Sequence, residues 1–256
     1  MEYWFLFPVG VVVAVLAMSS GVSGSNFWIP IYLLWMHLEP RVAFWTSLLT
    51  MLFGFGSGMV RNIMSNTVHF LLVWRYFRVM APATVIGALL SPRLPVTALL
   101  LAFAGFVIVF AAYLLYDSRP GRPEPPTHEH MFWGVAGLAG FLHGGIATGS
   151  GTLMLPCLLG HRRLPHHADA VGTTVTLAFV CSVLSVAFRV DGELWSSLLE
   201  NRELILSMIV FSCPGVVIGG QIGPLVARKL PRSWLRRYVA VLLIVVGTLV
   251  ALRAVG

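Results

Sequence analysis

The sequence is short of charge, and this deficit limits the class of protein. Only 11% of the 256 residues are Asp, Glu, Lys or Arg, whereas 57% are hydrophobic and the mean hydropathy is +0.85. A soluble domain devotes about a quarter of its residues to charge. Several apolar stretches reach the length of about 20 residues that a membrane helix needs. The composition excludes an ordinary soluble domain and predicts an all-α integral membrane protein.

Positive charge is missing from the first 40 residues. A cleavable signal peptide begins with a basic segment, but this chain has Glu2 near its start and no Lys or Arg before Arg41. We therefore expect the first apolar stretch to be a retained membrane helix.

Cysteine, metal-binding and catalytic patterns are also scarce. The three cysteines, Cys157, Cys181 and Cys213, lie in apolar segments without ligand spacing, so we interpret them as packing residues. The histidine-rich stretches at 127–130 and 161–169 lack partner ligands at fixed spacing. No serine–histidine–aspartate set, paired membrane carboxylates, Walker loop or dinucleotide motif occurs. We expect no enzyme activity, no metal and no cofactor.

Eight membrane elements, four in each half, are predicted from apolar length and breaker residues. The first and the fifth are too long for one simple span. Both contain a cluster of small polar residues and glycines, at 19–26 and at 144–152, and we expect the helix to break there. The approximate bounds of the eight elements are 3–35, 42–61, 70–90, 96–116, 131–159, 169–189, 203–225 and 235–252.

The two halves of the chain repeat each other. The first four-helix repeat is 1–116, the second is 131–256, and the proline-rich, charged stretch 117–130 predicts a solvated linker between them. Duplicated spans are typical of secondary transporters. Four spans per half predicts parallel repeats, whereas broken elements that re-enter the membrane would change that relation. The matched residues are Pro30 and Pro156, Pro82 and Pro214, Gly87 and Gly219, and Arg61 and Arg189.

The paired breaks predict a binding site for a small anion. Unpaired backbone groups are costly in lipid, so breaks persist only where they line a cavity or are buried in protein. Half-helix N-termini offer free N–H groups and a positive dipole end. Close helix packing by small residues is the alternative for either break alone. The side chains predicted to bind the anion are Ser23, Ser25, Asn26, Thr148, Ser150 and Thr152.

The second span of each half adds further hydroxyl groups. Thr46 and Ser47 recur as Thr173 and Thr174, and they either face the same cavity or bond back to their own helix. Gln221 is also predicted to point inward and contact the substrate, because an amide side chain is costly in lipid.

Three further residues have two interpretations each. His143, about one and a half turns before the second break, is either a proton relay or a packing histidine bonded to a neighbouring carbonyl. Arg61 and Arg189 end the second span of their halves and are either snorkelling anchors or groups that attract or gate an anion.

The distribution of basic residues predicts membrane orientation weakly. With eight spans, the Lys and Arg residues divide nine against eight between the two sides. The cluster at 228–237 favours a cytoplasmic loop there, which leaves both termini on the non-cytoplasmic side of the inner membrane. The net charge of +7 is scattered beside helix ends, which indicates contact with the lipid bilayer and no nucleic acid. The oligomeric state is left open.

The order of the motifs resembles that of a known family. "GVSGSNFWIP" is followed by "AFWTS", "GIATGSGTLMLP" is followed by "AVGTT", and "VIGGQIGPLVARKLP" leads into the last span. A glycine-rich stretch, a proline and an "A…TS" span, duplicated in this order, are similar to the sulfite exporter TauE/SafE family. Ser25 and Asn26 stand where the family has glycines in the first break, and Ser150 and Thr152 stand at such positions in the second.

The resemblance implies transport of sulfite, small organosulfonates or related oxyanions, driven by an ion gradient. We therefore expect a secondary transporter, an exporter of a small anion, that works by alternating access with a proton or sodium ion as coupling ion. A passive anion channel is the first alternative. A non-transporting membrane scaffold and a membrane enzyme are the others.

Overall fold

A computed structural model describes residues 3–20, 22–117, 129–159, 161, 163–164, 166–229 and 232–255. Most of the predicted linker 117–130 lies outside the described residues. So do the side chains at 224–229 and 232–236, which include most of the basic cluster. The described residues contain no strand, which confirms the all-α class.

Eleven helices are described. They are α1 (Leu6–Ser20), α2 (Ser25–Pro30), α3 (Pro40–Met64), α4 (Phe70–Leu90), α5 (Val96–Asp117), α6 (Glu129–Ile146), α7 (Ser150–Leu159), α8 (His167–Phe188), α9 (Gly192–Glu200), α10 (Arg202–Lys229) and α11 (Arg232–Val255). A π-helical turn, Ile31–Trp35, extends α2, and a 3₁₀ turn, Ser91–Arg93, follows α4.

Six of the described helices are long and apolar enough to cross a membrane, and the protein is therefore a multi-pass membrane protein. Three shorter apolar helices, Leu6–Ser19, Met131–Ile146 and Ser150–Leu159, belong to the two broken elements. The six candidate spans are Pro40–Met64, Phe70–Arg93, Val96–Tyr116, Ala168–Phe188, Arg202–Gly223 and Arg237–Val255.

Local sequence signals explain where several helices begin. Pro40 occupies the first turn of α3, where a missing N–H costs nothing. The Asp191 side chain accepts a hydrogen bond of 2.8 Å from the Leu194 N–H and so caps α9. The short, amphipathic α9 was not predicted, because apolar length was the criterion for an element.

Each broken element folds back on itself. The ring of Phe5, just before α1, stacks on Trp35 at the end of the π-helical turn, with centroids 5.1 Å apart. The ring of Phe132, near the start of α6, lies 5.0 Å from that of His161, which follows α7. Both ends of each element therefore lie at the same end of the bundle, and the elements form two helical hairpins.

The two hairpins open toward opposite ends of the bundle. The hairpin α1–α2 opens where α3 begins, at what we call the terminal face, which comprises residues 3–5, 36–39, 91–95 and 189–201. The hairpin α6–α7 opens where α3 ends, at what we call the linker face. Its described residues are 65–69, 129–132, 161, 163–164 and 166. Helices α3 and α8 are antiparallel, because Trp45 contacts Val186 near one end and Thr67 contacts Gly172 near the other. The predicted parallel relation of the two halves does not fit these directions.

The tightest packing joins the two halves of the chain. Helix α1 packs on α10, α4 on α6, α5 on α11, and α3 on α8. Glycines allow close backbone approach in the first two pairs. A Cβ atom on Gly144 would clash with the carbonyl oxygen of Thr84, and one on Gly219 would clash with that of Val11. The hairpin arm α6 is thus held against α4, and α1 is held against α10.

Gly144→Ala and Gly134→Ala form a matched pair that tests this packing. A Cβ on Gly144 enters α4, so we expect the free energy of unfolding to fall by about 1–3 kcal/mol. A Cβ on Gly134 meets no atom within 4 Å, and alanine favours a helix, so that variant should be neutral or slightly stabilised. Thermal melting in one detergent compares them. Equal midpoints would contradict the α4–α6 contact.

Candidate functional site

Both predicted breaks are present at the tips of the hairpins. Helix α1 ends at Ser20 and α2 begins at Ser25, whereas α6 ends at Ile146 and α7 begins at Ser150. The second tip turns within three residues, because Ala147 (φ 57°) and Gly149 (φ 122°) both have positive φ. Glycine adopts such a backbone at little cost. Gly149, the first glycine of "TGSGT", therefore allows the chain to turn at this tip.

The two tips contact each other directly. The Thr148 hydroxyl donates a hydrogen bond of 2.6 Å to Oδ1 of Asn26, and the Ser23 N–H donates one of 3.4 Å to Oγ1 of Thr152. The hydroxyls of Ser23 and Ser25 are 2.8 Å apart. All five side chains are fully buried. The structure thus brings together residues of the two breaks that are more than 120 positions apart in the chain.

Ser150 belongs to a second polar chain. Its hydroxyl lies 2.8 Å from Nδ1 of His143, whose Nε2 lies 2.9 Å from Oγ of Ser182. The Ser182 hydroxyl donates to the carbonyl of Ala178, so it accepts from Nε2–H, and Nδ1 accepts from Ser150. His143 therefore joins α6, the start of α7 and α8 through two side-chain hydroxyls.

Helix α8 also stabilises the broken end of α6. The Ser185 hydroxyl donates to the carbonyl of His143 over 3.4 Å, and Nη1 of Arg189 donates to the carbonyl of Gly144 over 3.3 Å. These carbonyls lie in the last turn of α6, where intrahelical partners are missing. The break in α6 is thus compensated by side chains of a neighbouring helix.

The hydroxyls of α3 and α8 behave in different ways. Ser47 bonds back to the Phe44 carbonyl at 2.7 Å. The Thr173 hydroxyl accepts a bond of 3.1 Å from the His69 N–H at the linker face. Thr46 and Thr174 are buried, and their hydroxyls have no hydrogen-bond partner. The hydroxyls of Thr46 and Thr174 are therefore the two of this set that make no hydrogen bond in the protein.

Gln221 lies apart from the breaks, between α10 and α3. Its amide nitrogen donates to the carbonyl and the hydroxyl of Ser57, at 3.0 Å and 2.7 Å, and its oxygen accepts from Arg61 at 3.4 Å. The side chain is partly exposed. It points toward a neighbouring helix, and the hydrogen bonds that the structure gives it do not reach either tip.

A small cavity lies beside the two tips, toward the linker face. Its volume is about 20 Å³, which is enough for about one water molecule. Val22 of the first tip, Gly151 of α7 and Thr174 of α8 contribute to its wall, which is otherwise mostly apolar. An anion with three or more oxygen atoms is larger than this space, so it can enter only if the walls move apart.

Three residues of the polar network, namely Tyr32, Ser182 and Ser185, had no signal in the sequence. The Tyr32 hydroxyl lies 2.8 Å from that of Thr50, and Ser182 and Ser185 contact His143 from another helix. Such contacts join distant segments, and a serine in a span looks the same whether or not it has a tertiary partner. Among the described residues, no group of three or more His, Cys, Asp or Glu is placed to hold a metal ion.

These observations define a class: a multi-pass helical membrane protein in which two broken elements meet through buried polar side chains. The sequence profile described as "Sulfite exporter TauE/SafE" matches residues 6–250, which is nearly the whole chain. The chain belongs to this family.

One curated relative shares nearly its full length. It is the "Probable membrane transporter protein YunE" of Bacillus subtilis (strain 168), which is 24% identical over 275 residues, covering 96% of each chain. No solved structure matches the chain significantly. The family and this relative support membrane transport, rather than catalysis, as the general function.

A double-mutant cycle on Asn26 and Thr148 tests the contact between the tips. Because the two side chains share a buried hydrogen bond, Asn26→Ala and Thr148→Ala should be non-additive, with a coupling energy of about 0.5–3 kcal/mol in detergent unfolding. The control cycle pairs Thr148→Ala with Ser196→Ala, which removes an exposed hydroxyl on α9. Additivity in both cycles would mean that the tips do not interact.

Proposed function

We propose that this protein is a secondary transporter of a small anion, and that the anion binds where the two tips meet. The observation that carries the proposal is the direct bond between Thr148 and Asn26. It joins the two breaks at one buried place, which suits a substrate site between two half-helices. The amide nitrogen of Asn26 is buried and has no partner, so a hydrogen-bond donor is free at this place.

The donors around the tips favour an oxyanion. The start of α7 supplies backbone N–H groups and a positive dipole end, and the Asn26 amide adds a neutral donor. The residues predicted from the sequence at this place remain our proposed binding residues, namely Ser23, Ser25, Asn26, Thr148, Ser150 and Thr152. The family description supports sulfite as the anion and export as the direction, and a short organosulfonate is a related candidate with the same kind of oxyanion group.

We propose six crossing helices and two re-entrant hairpins in place of eight simple spans. The boundaries 1–116, 117–130 and 131–256 are kept for the two repeats and the linker. In this repeat, α1, α3 and α4 of the first half correspond to α6, α8 and α10 of the second half. The contact of α1 with α10 then corresponds to that of α6 with α4, and the contact of α3 with α10 corresponds to that of α8 with α4. The opposite directions of α3 and α8 support an inverted repeat, which is a common architecture of secondary transporters.

This arrangement also supports a definite orientation. By chain order, twelve of the seventeen Lys and Arg residues belong to the linker face, whereas eight simple spans divide them almost evenly. The positive-inside rule then favours a cytoplasmic linker face in the inner membrane, with both termini outside. The twelve residues are Arg61, Arg75, Arg78, Arg119, Arg122, Arg162, Arg163, Arg228, Lys229, Arg232, Arg236 and Arg237.

The proposed alternating access leaves the two glycine-packed helix pairs, α1 with α10 and α4 with α6, in contact. Moving one whole half against the other would separate α1 from α10 and α4 from α6, the two closest backbone contacts. We propose that each pair moves as a unit and that the contacts between the tips and across α3 and α8 change. His143, which links α7 to α8, is placed to couple such a motion to a proton. Sodium is the alternative coupling ion.

A flux assay in proteoliposomes tests the proposed function. The screen covers sulfite, sulfoacetate, taurine, thiosulfate and short carboxylates, with and without imposed proton or sodium gradients. We expect saturable flux of an anion that follows one gradient. Asn26→Ala should raise the KM for that anion about tenfold to a hundredfold, because a hydrogen bond to a charged group contributes about 1.5–3 kcal/mol. Ser196→Ala serves as the control and should leave KM unchanged.

The outcomes of this assay separate the candidate functions. Saturable flux that ignores both gradients would favour a passive channel over a coupled carrier. An absence of saturable flux for every anion, with correctly folded wild-type protein, would refute the proposal.

A further inference from the structure

Arg189 is a buried arginine with an unused donor. The residue follows α8 and is 2% exposed. Its Nη1 donates to the carbonyl of Gly144, and its guanidinium carbon lies 5.2 Å from the centre of the Phe44 ring. Nη2 is buried and has no hydrogen-bond partner. The burial does not fit a snorkelling anchor, which would keep its charge in water.

The charge of Arg189 lacks a counter-ion. Arginine stays protonated in proteins, and a buried charge is very costly unless it is paired. Among the side chains that the structure describes, no carboxylate forms an ion pair with Arg189. A carbonyl oxygen and an aromatic ring attract the guanidinium, but neither neutralises it. The site is therefore one negative charge short.

A second arginine adds another buried donor without a partner near this place. Arg41 lies in the first turn of α3, three residues before Phe44, whose ring contacts the guanidinium of Arg189, and the two positive charges repel each other. The Nε of Arg41 is buried without a partner, and its Nη1 pairs with Glu193, whose side chain is 81% exposed. The first turn of α3 holds no acidic residue, although a helix N-terminus favours negative charge. Glu39, just before α3, is exposed and accepts a hydrogen bond from Ser197.

We propose that Arg189 and Arg41 form a second binding site for a small oxyanion, on the terminal-face side of the tips. The anion accepts hydrogen bonds from Nη2 of Arg189 and Nε of Arg41, and it supplies the missing negative charge. Planar guanidinium groups suit an oxyanion with several oxygen atoms. Because Arg189 holds Gly144, three residues from Ala147, occupancy of this site also acts on the hairpin tip.

This second site rests on the proposed transport of an anion and adds a step to it. In the proposed orientation, the two arginines lie on the non-cytoplasmic side of the tips, where an exported anion leaves the protein. The cavity of about 20 Å³ lies on the other side of the tips. The anion then passes from that cavity, through the contact between the tips, to the arginine pair.

The test compares Arg189→Gln, Arg189→Lys and Arg93→Gln in sulfite flux and in sulfite binding. Arg93→Gln is the matched control, because it removes the same charge from an exposed position at the terminal face. We expect Arg189→Gln to raise the KM for sulfite about tenfold or more, because it removes a charge-assisted bond. Arg189→Lys should recover part of the loss, and Arg93→Gln should change KM less than about threefold.

A purely structural role for Arg189 gives a different result. If the residue only caps α6, Arg189→Gln should lower the thermal midpoint in detergent, and Arg189→Lys with a restored fold should have the wild-type KM. That result overturns the second site. A wild-type KM in folded Arg189→Gln overturns it as well.

A binding measurement separates this proposal from the proposed function. Sodium sulfite should raise the thermal midpoint of the wild type more than sodium chloride of the same ionic strength, and Arg189→Gln should lose at least half of that rise. If the wild type shows this rise without saturable flux, the transport proposal fails and the anion site stands. If wild type and Arg189→Gln respond equally, the anion site fails.

Discussion

The hydrogen bond between Thr148 and Asn26 joins two helix ends that stop inside the bundle. A helix that stops inside a membrane leaves N–H and C=O groups that lipid cannot pair. Two such ends occur here, and each hairpin tip finds polar partners on the other. Small residues are needed at both tips, because larger side chains would hold them apart. The polar composition of "SGVSGSN" and "ATGSGT" follows from this mutual contact.

The meeting of the tips requires support from the surrounding helices. The glycine-lined contacts of α1 with α10 and of α6 with α4 fix one arm of each hairpin. From α8, Ser182, Ser185 and Arg189 contact His143 or the carbonyls beside it, so the end of α6 is held where it stops. Neutral donors and one buried cation therefore lie close together, and such groups suit the proposed oxyanion.

The sequence predicted the features that have local causes. The all-α class, the limits of most long helices and both breaks follow from runs of apolar residues and from glycines. The sequence did not predict the path of the chain after each break, because a polar interruption looks the same in a spanning helix and in a hairpin. Stacking of Phe5 on Trp35 reveals the difference, and it is a tertiary contact. For the same reason the sequence left both interpretations of Arg189 open, and it did not show that Gln221 bonds to Ser57 and Arg61.

The two hairpins share a framework but differ in chemistry. In the proposed repeat, in which Pro30 matches Pro156, His143 corresponds to Ala17 and Ser150 corresponds to Gly24. The second tip is therefore supported by a hydrogen-bonded histidine, whereas Gly24 packs against Met51 and Ala17. The apolar cavity beside Ala17 and the guanidinium group of Arg189, which contacts the residue after His143, lie on opposite sides of the tips. Such asymmetry makes the two sides of the proposed site unequal in the groups that they offer an anion, whereas the gradients of the anion and of its coupling ion set the direction of net transport.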